Sequence, residues 1–210
     1  MNTATNNAQT YTILATPVEH RLLEKNSDFL TFLQPVENRD EAMHWVQHYR
    51  ERYPDASHVC WAYSIGNTRQ PEAQACSDDG EPSGTAGRPM LHVLTERELG
   101  NCLAVVVRYF GGIKLGAGGL VRAYSAAVSQ AANLAELGTV SPQTELRIQL
   151  GFADESKVRQ LLSQHQGELL SSDYSHLVTL TIRLPQSAEA VFCQQLSNLT
   201  AGSAVIDNNR

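Results

Sequence analysis

The chain has 210 residues, of which 42% are hydrophobic, and its 22 acidic and 16 basic side chains give a net charge of −6. This hydrophobic content is ordinary for a folded protein and excludes disorder over most of the length. The net negative charge disfavours a general nucleic-acid clamp, because affinity for phosphate backbones comes from positive charge. The charge is uneven, however: residues 101–133 carry three basic side chains and no acidic one, while residues 72–81 carry four acidic side chains and no basic one.

The cysteines and the lengths of the apolar runs indicate the cellular compartment of the protein. The four cysteines, Cys60, Cys76, Cys102 and Cys193, lie far apart and form no zinc-type spacing, so we interpret them as reduced core thiols of a cytoplasmic protein. No apolar run approaches the roughly 18 residues of a membrane helix. The polar residues 1–10 predict a disordered tail and not a signal peptide.

The first half of the chain predicts alternating strands and helices. Asn38 resembles a helix cap, with Glu41 three residues later as its capping-box partner. The predicted elements, in chain order, are strands at 11–16 and 28–36 separated by a charged turn, a helix from 38 to just before Pro54, a strand at 57–65, an acidic turn at 77–82 and a helix at 85–99.

The strand predicted over residues 101–110 is apolar on both faces, which is typical of a central strand covered on both sides. A long helix follows from residue 117, with one apolar face, and ends near Gly138.

A short loop with Pro142 marks a predicted domain boundary between residues 138 and 142. The elements after it follow the order β-α-β-β-α-β, which is the split unit of a ferredoxin-like domain. We therefore predict an α+β protein of two domains, at residues 11–138 and 142–210.

The most informative stretch for function is RYFGGIKLGAGGLVRAY at 108–124, which lies between the central strand and the long helix. Glycines permit positive φ and close approach of a ligand, and a helix N-terminus favours an anion. Arg122 lies one turn into the helix and can reach back over the loop. The candidate anion- or RNA-binding residues are Arg108, Tyr109, Gly111, Gly112, Lys114, Gly116, Gly118, Gly119 and Arg122.

Two interpretations of this stretch remain open. In the first, it binds a phosphate or a carboxylate from outside. In the second, Asp78, Asp79 or Glu81 of the acidic turn supplies the anion internally, and the glycines serve only tight packing. The spacing matches neither a P-loop nor a dinucleotide-binding fingerprint.

The sequence gives weaker support for a metal site, an acid/base histidine or a catalytic serine. The acidic turn could hold Mg²⁺, but three acids in four residues more often form a solvated or capping turn, so we predict no metal site. His58 at the start of its strand is a candidate acid/base group, although a structural histidine is several times commoner. No GxSxG motif and no serine with a recognisable base partner is present, so no catalytic residue is assigned.

Three blocks of sequence resemble a known family. HVCWAY at 58–63, SDDGEPSGTAGRPML at 77–91 and VVVRYFGGIKLGAGGLVRAYS at 105–125 closely resemble the signature of the IMPACT family, in its bacterial YigZ-type form. The resemblance covers residues 11–137 strongly. The second domain, with SSDY at 171–174, is similar to the smaller C-terminal domain of those members.

The resemblance implies a fold and a process. It implies an N-terminal α/β domain like the second domain of a small-subunit ribosomal protein, and a C-terminal domain like the ferredoxin-like domains of elongation factor G. It also implies a link to the control of translation. We predict no cofactor for this chain. Eukaryotic members bind a partner of a starvation-sensing kinase through an extra N-terminal domain, and that interaction is not carried over to this chain.

One departure from the family pattern concerns charge. Family members usually read KKSRF in the region of the second predicted strand, whereas this chain reads Lys25-Asn26-Ser27-Asp28-Phe29. Two expected basic side chains are therefore replaced, which weakens or shifts any anion site that includes this segment.

These observations support three hypotheses. The first is a cytoplasmic binding protein that contacts RNA, the ribosome or a translation factor through the glycine-rich basic loop. The second is an enzyme acting on a small phosphorylated or carboxylated metabolite at the same loop. The third is an interaction scaffold in which the glycines only pack. The first is our prediction, with contact through a local patch because neither half of the chain is basic overall.

Overall fold

A computed structural model describes residues 10–207 of the chain. Within that range the chain forms two compact units, residues 10–140 and the residues from Ser141 onward. Both units combine sheets and helices, so the predicted two-domain α+β class is confirmed.

The first unit contains seven strands and three helices among the described residues. In chain order they are β1 (Tyr11–Leu14), β2 (Val18–Glu24), β3 (Ser27–Pro35), α1 (Arg39–Arg52), β4 (His58–Asn67), β5 (Gln70–Ser77), α2 (Gly87–Glu96), β6 (Cys102–Tyr109), α3 (Ala117–Ala132) and β7 (Leu137–Val140).

Strand β6 lies at the centre of a five-stranded antiparallel sheet with the order β2-β3-β6-β4-β5. Its residues from Cys102 to Arg108 are all buried. Alternate side chains pack into two different cores, one with α2 and α3 and the other with α1. The predicted central strand covered on both faces is thus confirmed.

The N-terminus of α1 has the predicted cap. The Asn38 side chain accepts a hydrogen bond from the backbone N–H of Glu41 at 2.9 Å. The Glu41 carboxylate in turn accepts the backbone N–H of Glu37 at 2.8 Å. This reciprocal pair differs from the standard capping box by one residue, and it satisfies two backbone donors at the helix start.

Three strands of the first unit differ from the prediction. The charged turn predicted between the first two strands is instead strand β2, which pairs along its whole length with β3. Strand β5 is the other edge of the same sheet, and β7 pairs with β1. Edge strands need only part of their side chains buried, so their charged and polar residues hide them from a search for apolar alternation.

The second unit has the element order β8 (Gln143–Leu150), α4 (Glu155–Gln164), β9 (Glu168–Tyr174), β10 (Val178–Pro185), α5 (Glu189–Leu199) and β11 (Val205–Asp207). Its sheet order is β11-β8-β10-β9, and both helices pack on one core. This is the predicted ferredoxin-like order. No helix within residues 10–207 is both long and apolar enough to cross a membrane.

Candidate functional site

The first acid of the acidic turn, Asp78, binds the backbone at the start of α2. The Asp78 carboxylate accepts backbone N–H groups from Ala86 and Gly87, at 2.9 and 2.8 Å, and from Gly84 at 2.7 Å. It therefore caps the start of α2, whose own N-cap residue, Ala86, has no capping side chain. Burial favours the protonated form of this carboxyl, but the three backbone donors outweigh it and lower the pKa of Asp78.

Asp79 ties the same turn to strand β4 and helix α1. One of its oxygens accepts the backbone N–H of Val59 at 2.7 Å, and the other accepts the Arg50 guanidinium at 2.7 Å. Its backbone has a positive φ of 44°. Asp79 thus serves as a structural anion for α1 and β4, and its partners lie outside the glycine-rich stretch.

The third acid forms a buried ion pair with the central strand. The guanidinium of Arg108 donates to the Glu81 carboxylate at 2.5 Å, and the two side chains are 6% and 3% exposed. The Tyr124 hydroxyl donates to the same carboxylate oxygen at 2.8 Å. Burial raises the pKa of Tyr124, so this hydroxyl remains a donor. The positive charge of Arg108 is therefore neutralised from within the protein.

His58 is fixed in one orientation beside this pair. Its Nδ1 lies 2.9 Å from the backbone carbonyl oxygen of Asp79, and its Nε2 lies 3.8 Å from a Glu81 oxygen. A carbonyl oxygen only accepts, so Nδ1 carries a hydrogen and Nε2 of the neutral ring carries the free lone pair. The sulfur of the neighbouring Cys60 lies 3.0 Å from the backbone carbonyl oxygen of Asp78 and 3.3 Å from the Tyr124 hydroxyl, and its one hydrogen serves one of these acceptors at a time. Burial raises the pKa of Cys60 to about 12, so it is an inert thiol.

A pocket of about 360 Å³ opens between the acidic turn and the glycine-rich loop. It brings together five of the candidate residues at the start of α3: His58, Glu81, Arg108, Lys114 and Gly116. We call it the His58 pocket. Its lining residues are His58, Glu81, Pro82, Arg108, Phe110, Lys114, Leu115, Gly116, Ala117 and Leu120.

Arg122 lines a different pocket, of about 260 Å³, on the other side of Leu115. The turn between β2 and β3 contributes Lys25 to it, and helix α3 contributes Gln130. The Arg122 guanidinium lies near Gly118, one turn earlier on the same helix. Arg122 does not line the same pocket as Arg108, however, because Leu115 lies between the two pockets.

The glycines of the loop have unequal roles. Gly111 packs so closely on the β2–β3 turn that a Cβ there would overlap the backbone of Asn26. Gly112 and Gly116 have positive φ values of 86° and 75°, with open space around them. Gly116 is the N-cap of α3, and it supplies no capping side chain. Gly118 and Gly119 continue into the helix, and a Cβ on Gly119 would meet Leu115.

Tyr109 points away from the other candidate residues. Its ring packs with the α1 core on the opposite face of the sheet, and its hydroxyl donates to Asp55 at 2.9 Å. Successive side chains of a strand alternate between faces, so neighbours Arg108 and Tyr109 cannot share a pocket. Tyr109 therefore does not join the His58 pocket.

Sequence reasoning missed Lys25 as a member of the site. It stands at the turn of the β2–β3 hairpin, where Lys25 and Asn26 have positive φ values of 46° and 63°. The hairpin could be recognised only once β2 was seen as a strand. The acid that departs from the family pattern, Asp28, binds Arg21 at 2.6 Å and so adds no free negative charge beside Lys25.

No cluster of three or more His, Cys, Asp or Glu side chains able to hold a metal ion occurs in the part of the chain that the structure describes. Each acid of the acidic turn has its own partner, as described above. The polar and charged side chains that line the His58 pocket are His58, Glu81, Arg108 and Lys114.

Comparison with known proteins identifies both halves of the chain. Residues 25–132 match the model of the Impact N-terminal domain, and residues 148–203 match a domain of unknown function (DUF1949). The chain is 38% identical over 195 residues to IMPACT family member YigZ of Escherichia coli, covering 93% of this chain and 96% of that protein. It is 39% identical over 191 residues to IMPACT family member YvyE of Bacillus subtilis, covering 90% and 86% of the two chains.

A solved structure agrees with this assignment. A crystal structure described as that of a hypothetical protein matches with a TM-score of 0.66 and 36% identity, over 94% of this chain and 96% of the other. The relatives match over nearly their whole length and across both units. The chain belongs to the IMPACT family.

Proposed function

We propose that this chain is a cytoplasmic RNA-binding protein that takes part in the control of translation, and that it contacts single-stranded RNA through the surface around Leu115. One observation carries the proposal: Lys25, Lys114 and Arg122 are all exposed around this surface, and none forms an ion pair within residues 10–207. We call these three residues the basic patch. Unpaired cations are available to phosphate oxygens without first breaking an internal contact.

The setting of the basic patch favours a nucleic-acid strand. The first turn of α3 contains no acidic residue, so its N-terminal dipole adds to the positive potential near Lys114. Phe110 and Ile113 are about half exposed in the same loop. Exposed rings beside cations are the features on which single-stranded bases stack. One acid, Glu24, lines the Arg122 pocket and moderates the charge there.

The acidic character of the rest of the chain limits the mode of binding. With a net charge of −6, long-range attraction to RNA is absent, and only contacts within the patch contribute. Three cations contact few phosphates, so we expect modest affinity with a clear dependence on salt.

The test is the fluorescence anisotropy of a labelled single-stranded RNA at low salt. The triple variant Lys25→Ala, Lys114→Ala, Arg122→Ala should weaken binding by at least about tenfold, because the phosphate contacts are lost. Arg108 stays unchanged in this variant, since its removal would leave the Glu81 carboxylate buried without its cation.

The matched control is Arg39→Ala, Arg52→Ala, Arg69→Ala, which removes the same charge from exposed sites of the same unit. The control should retain affinity within about threefold, since only the general potential changes. Equal losses in both triple variants, or no binding by the wild-type protein at low salt, would refute the proposal. Binding to a ribosomal protein or a translation factor in place of RNA would be such a refutation.

The enzyme hypothesis rests on a different feature, the His58 pocket. It predicts that a small phosphorylated or carboxylated molecule binds there, and that changes at Lys25 and Arg122 leave this binding intact. The RNA proposal predicts that changes at Lys25 and Arg122 weaken the binding of RNA. Measuring both ligands with the same variants therefore separates the two hypotheses.

A further inference from the structure

We propose that the His58 pocket binds a phosphate monoester attached to a planar ring, of the kind presented by a nucleoside 5′-monophosphate. The ligand is either a free nucleotide or the phosphorylated end of an RNA strand. This site shares Lys114, Leu115 and Phe110 with the RNA surface, whereas Lys25 and Arg122 do not line it, and the proposal does not depend on the RNA proposal.

The charge of the pocket favours an anion. Its one carboxylate, Glu81, is neutralised by Arg108, which binds one oxygen together with the Tyr124 hydroxyl, while the other oxygen faces His58 Nε2 at 3.8 Å. Lys114 adds a positive charge with no internal partner in the described range, and the pocket wall includes the uncapped start of α3 at Gly116 and Ala117. The fixed charge is therefore positive around Lys114 and the start of α3, and it is neutral at the pair formed by Glu81 and Arg108.

A buried hydrogen-bond donor without an acceptor, in a residue that lines the pocket, also favours an anion. This observation is independent of the helix N-terminus. Arg108 is 5% exposed and lines the pocket, yet its Nε–H has no acceptor among the residues described. A buried donor without an acceptor is unfavourable by itself, even though Glu81 offsets the net charge of the guanidinium. An oxygen-rich anion in the adjoining pocket lowers that cost through the local field, which an apolar ligand cannot do.

His58 decides between a phosphate monoester and a diester. Because Nδ1–H is engaged by the Asp79 carbonyl, the ring offers only Nε2 to the pocket. A monoester titrates near pH 6 and can share a proton with Nε2, as P–O–H···N or as P–O⁻···H–N. A diester carries no such proton, so it cannot form the P–O–H···N arrangement with Nε2. The proton-sharing arrangement therefore favours the monoester over the diester.

The remaining lining fits a ring. Phe110 has 49% of its surface exposed, and Pro82, Leu115 and Leu120 complete an apolar wall. A volume of about 360 Å³ lies at the small end of the range for ligand pockets, roughly 300–1,000 Å³, and suits one nucleotide but no larger cofactor. A stacked base on Phe110 with its phosphate toward Lys114 uses both halves of the pocket.

The test is titration calorimetry of the full-length protein with adenosine 5′-monophosphate. Adenosine, which lacks the phosphate, and cyclic adenosine 3′,5′-monophosphate, which is a diester, should each bind at least about tenfold more weakly. Ribose 5-phosphate, which lacks the ring, should also bind more weakly. Competition by a 5′-phosphorylated oligoribonucleotide would identify an RNA end as the source, and its failure would identify a free nucleotide; both results support the pocket.

Variants locate the binding. Lys114→Ala should raise the dissociation constant by at least about tenfold. His58→Asn removes Nε2 but keeps an N–H for the Asp79 carbonyl, so it should abolish the preference over the cyclic diester without unfolding the protein. Arg122→Ala, in the neighbouring pocket, should leave the dissociation constant unchanged.

Three results would overturn the proposal: no heat with the monophosphate at millimolar concentration, equal binding of adenosine, or equal loss in Arg122→Ala and Lys114→Ala. Its failure is distinguishable from failure of the RNA proposal, because the two use different ligands. Nucleotide binding without binding of an unphosphorylated RNA leaves only this pocket standing. RNA binding without nucleotide binding leaves only the basic patch.

Discussion

At the scale of single residues, the cations around the glycine-rich loop divide into two kinds. Arg108 is buried and neutralised by Glu81, whereas Lys114 and Arg122 are exposed and unpaired within the described range. The sequence placed all three in one acid-free stretch, and nothing local separates them. The difference arises because β6 points Arg108 toward a turn that lies 27 residues earlier, which no local pattern reveals.

The buried pair predicts a large asymmetry between two charge deletions. Glu81→Ala should lower the free energy of unfolding by about 3–5 kcal/mol, because it leaves the Arg108 guanidinium buried without its anion. Arg69→Ala removes an exposed pair with Glu98 and should cost less than about 1 kcal/mol. Urea unfolding followed by tryptophan fluorescence reports on this unit, since Trp45 and Trp61 both lie in it. Similar costs for the two variants would contradict the assignment.

Asp78 predicts a pH-dependent contribution to stability. The folded pKa lies below the ordinary value, so the carboxylate stabilises the fold above the unfolded pKa and loses its effect as pH falls through the folded pKa. Asp78→Ala should cost about 1–2 kcal/mol near pH 7, as for a lost helix cap. This cost should shrink in acid. A cost that is constant from pH 7 to pH 3 would show that the charge is not what caps α2.

At the scale of elements, the β2–β3 hairpin completes the site. Strand β3 and central strand β6 were recognisable because their apolar residues are buried against helices. Strand β2 was not, because only Val18, His20 and Leu22 are buried or partly buried, and the strand's other residues, which are mostly charged, are exposed. The turn at Lys25 and Asn26 depends on that strand, so its approach to α3 could not be predicted.

Two glycines of the loop should respond in opposite ways to alanine. Gly111→Ala should lower the unfolding free energy by about 2 kcal/mol or more, because its Cβ would overlap the Asn26 backbone and force the hairpin turn away. Gly118→Ala has only an ordinary contact with Arg122 and should raise it by up to about 1 kcal/mol through helix propensity. Thermal unfolding of both variants tests whether Gly111→Ala lowers the stability and Gly118→Ala raises it. Equal effects would mean that Gly111 does not pack against the turn.

At the scale of the whole molecule, each unit has its own core. The second unit buries a cluster drawn entirely from residues 146–206, and the first unit has two clusters on the faces of its sheet. The order β-α-β-β-α-β was readable because its strands alternate and its loops are short. The relation between sequence and function is less direct, since the basic patch and the His58 pocket both form from segments far apart in the chain.

Separate cores predict that the second unit folds without the first. A fragment of residues 141–210 should show ferredoxin-like secondary structure by circular dichroism and unfold cooperatively, with a stability of about 3–5 kcal/mol, as expected for a domain of this size. A fragment of residues 1–140 should retain the RNA affinity of the full chain. A second unit that shows no cooperative transition would contradict the independence of its core.

The salt dependence of RNA affinity tests the central claim most directly. Each phosphate contact on a single strand contributes about −0.7 to the slope of log K against log salt concentration, so the three cations of the basic patch should contribute about −2. The wild-type protein should therefore have a slope about 2 steeper than Lys25→Ala, Lys114→Ala, Arg122→Ala. Equal slopes in the two proteins would show that RNA, if bound, lies elsewhere, and would contradict the basic patch as the binding surface.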